Sequence, residues 1–151
     1  WRRLLPDGFV FIHVVRHPLD VLASLLEIGF PKAVPADFAD KVRLLSDFVA
    51  AGARFEAAHP AISYRLRYED LVTEPDVSLA RLFAWLGERH EASVLTEFDL
   101  PIRGRGIEDP KVAGSRRVHD RSVGRWRADL GAEQVGIARA MPGGVFEGYE
   151  L

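Results

Sequence analysis

Phe9, Val10, Phe11, Ile12, His13, Val14 and Val15 form an uninterrupted apolar, β-branched run that opens just after Pro6, Asp7 and Gly8 and stops at Arg16. A run of that length, bounded by turn formers, reads as a strand buried in a sheet. Two positions after Arg16 stands Pro18, whose fixed φ suits the first turn of a helix, and Leu19, Leu22, Leu25 and Leu26 recur at helical spacing up to Gly29. Strand, tight turn and helix make the building unit of α/β proteins.

Working outward, Pro31 and Pro35 interrupt the chain before a second helix, expected from about Asp37 to Ala58, with Phe38, Val42, Leu45, Val49, Gly52 and Phe55 on one stripe and Pro60 ending it. The segment from Ile62 to Tyr68 alternates as a strand does, and Arg65 and Arg67 on one face put it near an edge or a site. Thr73, three residues before Asp76 with Pro75 between them, predicts a capped helix carrying Leu79, Leu82, Phe83 and Leu86 and closed by Gly87. From Phe98 to Arg127 the helical stripe is lost, and Gly104, Gly106, Gly114 and Gly124 punctuate a basic loop longer than an idle connection. A last helix is expected from about Ala132 to Met141.

The chain has 151 residues, 16.9 kDa and 48% hydrophobic content, which fits one folded core. Repeats and low-complexity tracts are absent. No apolar run approaches the ~20 residues that span a bilayer, so membrane-spanning, collagenous and disordered classes drop out. The opening Trp1, Arg2, Arg3, Leu4, Leu5, Pro6 is too short for a secretory signal, and a chain that starts on Trp is expected to have its natural start upstream. Only two strands are visible where open sheets have roughly 4 to 6, so residues 1–151 are expected to be part of one α/β domain: a parallel sheet flanked by helices, incomplete in this stretch.

Cysteine is absent, which removes disulfides, thiolate metal sites and a Cys nucleophile and fits a reducing, cytoplasmic compartment. The net charge is −2, but it is uneven: −4 over residues 1–102, +5 over 103–127 and −3 over the rest. A globally basic nucleic-acid binder is thereby disfavoured, and no stripe of basic residues interleaved with aromatics is present. The basic segment is either a solvated loop or a holder for a small anion.

In open α/β sheets ligands bind outside the carboxyl ends of the strands, so the residue after the first strand is the first candidate. It is Arg16, whose planar fork of donors matches a phosphate. Ser24 stands two turns into the following helix, on the face of Asp20, where its hydroxyl is a second possible donor to the same anion. The competing reading pairs Arg16 with Asp20 and leaves Ser24 as a small residue.

Arg16, Pro18, Asp20 and Ser24, with the spacing R-x-P-x-D-x-x-x-S, resemble the signature of sulfotransferases that use 3′-phosphoadenosine 5′-phosphosulfate (PAPS). A second match, Arg67-Tyr68-Glu69-Asp70-Leu71 with Pro75 and the helix end Phe83 to Gly87, is similar to the family's R-Y-E-D-L-x-x-x-P segment and F-x-x-L-G helix end. Ser122 to Arg127 resembles the family's basic, glycine-containing segment before a tryptophan. The resemblance implies a P-loop-NTPase-like α/β fold, with PAPS as co-substrate and no metal. It implies that Arg16 and Ser24 bind the nucleotide 3′-phosphate, that Tyr68 contacts the adenine, and that Arg125 closes over the 3′-phosphate, with Arg121 and Ser122 as further candidates. His119, Asp120 and Arg121 stand where cytosolic members carry R-K-G, so a small phenol acceptor is not implied; the acceptor is a hydroxyl or amine on a small molecule, carbohydrate or peptide.

The family's phosphosulfate-binding loop and its His or Glu base precede the R-x-P motif, and neither segment lies in this sequence. No catalytic residue is therefore assigned, and the 151 residues alone are expected to be the inactive C-terminal portion of the domain. Two other readings stay open: a non-catalytic module binding an adenosine bisphosphate or a partner, and a P-loop-related nucleotide phosphotransferase. The sequence carries no signal for oligomeric state.

The remaining polar residues have structural readings. His13 and His17 cannot share one helix as a metal pair, because His13 lies in the strand run and Pro18 follows. His59 and His90 flank helix ends and suit exposed carbonyls. Glu69 and Asp70 would point opposite ways on a strand, which argues against a two-carboxylate acid/base site and for capping and pairing with Arg65 or Arg67. Trp85 follows a core pattern; Trp126 could stack on a base.

Overall fold

The computed structural model describes residues 8–27, 33–96, 118–140 and 149. The first strand, β1, is Phe11–Val15, and the helix α1 is Pro18–Glu27. Pro18 opens α1 at the position where its missing N–H has no helical partner to lose. His17 caps the helix with its ring: the Leu19 amide donates to His17 Nδ1 at 3.2 Å.

The second helix, α2, is Phe38–Ala58. Asp37 is its N-cap in an extended conformation, and its carboxylate accepts the Asp40 N–H at 3.1 Å, a contact worth about 1 kcal/mol in such caps. A short 3₁₀ turn, Pro60–Ile62, leads into β2, Ser63–Arg67. The strands pair in parallel with Phe11 opposite Ser63 and Val15 opposite Arg67, so α1 and α2 belong to the crossover that parallel pairing demands.

Beyond β2 the structure departs from the sequence reading. Tyr68 is the first residue of a helix, α3 (Tyr68–Thr73), rather than the end of a strand, and Glu69 and Asp70 lie in its first turn. Thr73 does not cap the next helix, α4 (Pro75–Leu86): its hydroxyl donates back to the Glu69 carbonyl at 2.8 Å, and Glu74 occupies the cap position without a side-chain bond. Pro75 explains the break, since it pushes Glu74 out of the helical region, to φ −132° and ψ 62°. Gly87 does close α4, in the left-handed conformation at φ 75°, with the Glu88 N–H reaching the Phe83 carbonyl. A 3₁₀ turn at Ala92–Leu95 follows, and the last described helices are α5, Trp126–Asp129, and α6, Ala132–Arg139. Most of the expected basic loop, residues 98–117, lies outside the described residues.

The core joins α1, α2, α5 and α6 through Leu19, Leu22, Val42, Trp126, Leu130 and Ala138. Leu19 and Leu22 are fully buried, a burial worth roughly 2 to 3 kcal/mol for each. The β1 run reads as buried on both faces, yet among the described residues only one face is covered. Phe11 packs on Phe55 of α2 with ring centroids 4.5 Å apart, and His13 lies so close to Gly52 that a Cβ there would sit 2.3 Å from its ring. Opposite them, Val10, Ile12 and Val14 are 49%, 38% and 54% exposed.

Candidate functional site

At the carboxyl end of β1, Arg16 and His17 turn to different neighbours. The Arg16 guanidinium lies 4.6 Å from the centre of the Tyr68 ring, and its Nη2 donates to the Ser122 carbonyl at 2.7 Å. Among the described residues its Nε is buried with no hydrogen-bond partner. A buried donor left unmade costs about 1 to 3 kcal/mol. The pairing of Arg16 with Asp20, the competing reading of the sequence, is not what forms.

Asp20 instead fastens the distant chain. Fully buried in the first turn of α1, it accepts the Gly124 N–H on Oδ2 at 2.7 Å and the Trp126 N–H on Oδ1 at 2.9 Å. A carboxylate there also favours the positive end of the helix. Gly124 makes the turn at φ 72°, and Trp126 stacks on His17 with centroids 5.7 Å apart and planes 17° from parallel. Trp126 is 8% exposed and packs in the core.

On the His17 side, Glu69 Oε1 accepts the His17 N–H at 2.7 Å, so the expected pairing of Glu69 with Arg65 or Arg67 gives way to a tie between the ends of the two strands. Arg65 reaches Glu56 on α2, whose other oxygen meets His13 Nδ1 at 2.7 Å. Burial pushes the Glu56 carboxyl up, but the hydrogen bonds and charges of Arg65 and His13 together hold it below the usual carboxylate range. Arg67 lies over the Tyr149 ring, and burial together with the Glu69 charge pushes the Tyr149 hydroxyl up to about 12. A cavity of about 320 Å³ opens between His17, Arg67, Glu69, Arg127 and Tyr149. Neither Arg16 nor Tyr68 lines it.

The candidates read from the sequence are therefore distributed unevenly. Arg16, Tyr68 and the backbone of Ser122 come together. Ser24 lies one turn past Asp20 on α1 and is partly exposed. Arg125 is partly buried and engaged by Glu27 at 2.7 Å and Asp129 at 2.5 Å. Asp129 first and then Glu27 raise its pKa further above the usual arginine value. Arg121 is exposed on the turn that follows Asp120. Sequence reasoning missed Asp20 as an anchor, although an acidic residue in a helix's first turn was the available signal. Among the described residues no group of His, Asp and Glu is placed to hold a metal ion, and no helix is long and apolar enough to cross a membrane.

Parallel strands joined through helices, with an arginine and a tyrosine at their carboxyl ends, define an α/β protein whose polar site sits where such sheets bind ligands. The protein-family model for the sulfotransferase family matches residues 2–92, and the chain belongs to that family. Its fold is similar to that of a sulfotransferase domain from the curacin biosynthetic pathway, with a TM-score of 0.66 and 20% identity over 94% of this chain and 54% of that one. A sulfotransferase domain from the Synechococcus PCC 7002 olefin synthase is similar with a TM-score of 0.57 and 20% identity over 92% of this chain and 53% of that one. The chain thus spans about half the length of the solved domains it matches. No curated protein matches the sequence.

Proposed function

We propose that this chain supplies the 3′-phosphate and adenine half of a PAPS site in a sulfuryl-transfer reaction. In that reaction an acceptor oxygen or nitrogen attacks the sulfur in line, a new bond to sulfur forms, the bond between sulfur and the 5′-phosphate oxygen breaks, and a base takes the acceptor's proton. Catalysis of such a step rests on positioning and on stabilising charge at the leaving group. Membership of the sulfotransferase family supports the reaction class.

The observation that carries the reading is the buried, unpartnered Nε of Arg16 beside the face of Tyr68. A guanidinium with an unmade donor suits a phosphate, and a partly exposed tyrosine ring next to it suits a base. Ser24 and Ser122 would add hydroxyl donors. Arg125 would join the phosphate only by leaving Glu27 or Asp129. The test is calorimetric titration of the protein with adenosine 3′,5′-bisphosphate and, separately, adenosine 5′-monophosphate. The bisphosphate is expected to bind more tightly, and Arg16→Ala is expected to cost about 1.5 to 3 kcal/mol of its affinity. Equal binding of the two nucleotides, or an unchanged affinity in a folded Arg16→Ala protein, would refute the assignment.

A further inference from the structure

We infer that Asp20 is a positioning residue for the nucleotide 3′-phosphate, acting through the backbone of residues 122–126; this deepens the proposed PAPS site and rests on it. Asp20 touches no ligand in this scheme, being fully buried with each carboxylate oxygen taken by one backbone N–H. What it holds is the segment that aims Arg16. Gly124, bound to Asp20 Oδ2, is two residues from Ser122, whose carbonyl accepts Arg16 Nη2 at 2.7 Å. Trp126, bound to Oδ1, stacks on His17, the neighbour of Arg16.

The loop is therefore clamped to the start of α1 at two backbone points, and Arg16 is clamped to the loop at a third. With Nη2 fixed by Ser122 and the guanidinium plane fixed over Tyr68, Nε is held in one direction. A guanidinium pre-set in that way loses less freedom when it binds an anion. Loss of the Asp20 clamp would release Ser122 and, with it, the direction of the fork.

Charge alone predicts the opposite sign. A carboxylate near a phosphate repels it, so removing its charge without moving anything would tighten nucleotide binding. Positioning predicts weaker binding. Asp20→Asn separates the two, because the amide keeps one acceptor oxygen but turns an NH₂ toward the second backbone N–H.

The experiment measures the ratio of affinities for adenosine 3′,5′-bisphosphate and adenosine 5′-monophosphate in the wild-type protein and in Asp20→Asn, with circular dichroism as the folding control. We expect the preference for the bisphosphate to fall about tenfold in the variant, the scale on which indirect coupling acts. An equal or larger preference in the folded variant overturns the positioning role while the nucleotide site stands. A wild-type protein with no preference removes the site itself and the inference with it. Should Asp20→Asn fail to fold, amide exchange at Gly124 and Trp126 in the wild-type protein decides: slower exchange with the bisphosphate than with the monophosphate supports the coupling, and identical exchange overturns it.

Discussion

Two carboxylates fasten distant parts of this chain, and they do so with different partners. Asp20 holds two backbone amides more than 100 positions away and is fully buried. Glu56 holds two side chains, His13 and Arg65, and keeps 13% of its own side chain exposed. Backbone donors are fixed by the fold and have no alternative once buried, whereas an exposed guanidinium can exchange its carboxylate for water. The first contact therefore defines the arrangement of the site end of the sheet, and the second trims the opposite side.

The contrast is broken most directly at Asp20. Asp20→Ala leaves two buried N–H groups without acceptors, and at about 1.5 to 3 kcal/mol per charge-assisted bond it should lower the unfolding free energy by roughly 3 to 6 kcal/mol, read by chemical denaturation. Glu56→Ala should cost about 1 kcal/mol, in the range of partly exposed ion pairs. A Glu56 loss as large as the Asp20 loss would erase the distinction.

A substitution beneath the second cluster comes next in size. Gly52→Ala puts a methyl 2.3 Å from the His13 ring, so the ring must leave Glu56 or α2 must shift, at a cost of roughly 1 to 3 kcal/mol. Thermal unfolding of Gly52→Ala beside the double variant Gly52→Ala, His13→Ala checks it, since the second change should recover stability only if the ring is the obstacle.

The smallest effect is a pH dependence. The Glu56 carboxyl titrates lower in the folded protein than in the unfolded chain, so its contribution is present above the unfolded pKa and is lost as pH falls through the folded one. Between about pH 5 and about pH 3 the wild-type protein should lose more stability than Glu56→Gln, by less than about 1 kcal/mol. Parallel denaturation curves for the two across that range would show that the ion pairs contribute nothing.

How much of this could be read from residues alone follows from the range of the forces involved. Local signals held: α2 begins one residue after the expected Asp37 and ends at Ala58, Pro18 opens α1, and Gly87 closes α4, each through contacts a few residues long. The β1–β2 pair was legible from apolar pattern and alternation. Tyr68 was misplaced because strand alternation gives no mark of where a helix takes over, and Thr73 because its hydroxyl had a carbonyl within its own turn. The meeting of Arg16 with Tyr68 was accessible only through the resemblance to a family. The partners of Asp20 lie beyond any periodicity, since nothing at Gly124 or Trp126 advertises which carboxylate will take its amide.

The uncovered side of β1 is an apolar sheet face with an unpaired edge among the described residues. Phe9 to Val15 carries no acidic, lysine or arginine side chain and no proline, and among the described residues β1 pairs with β2 alone. With Val10, Ile12 and Val14 turned to water, this is the stretch at which copies of the chain would adhere edge to edge as concentration rises. The three exposed side chains, Val10, Ile12 and Val14, stand on the face of β1 away from α2, while Phe11 and His13 of the same strand are engaged there.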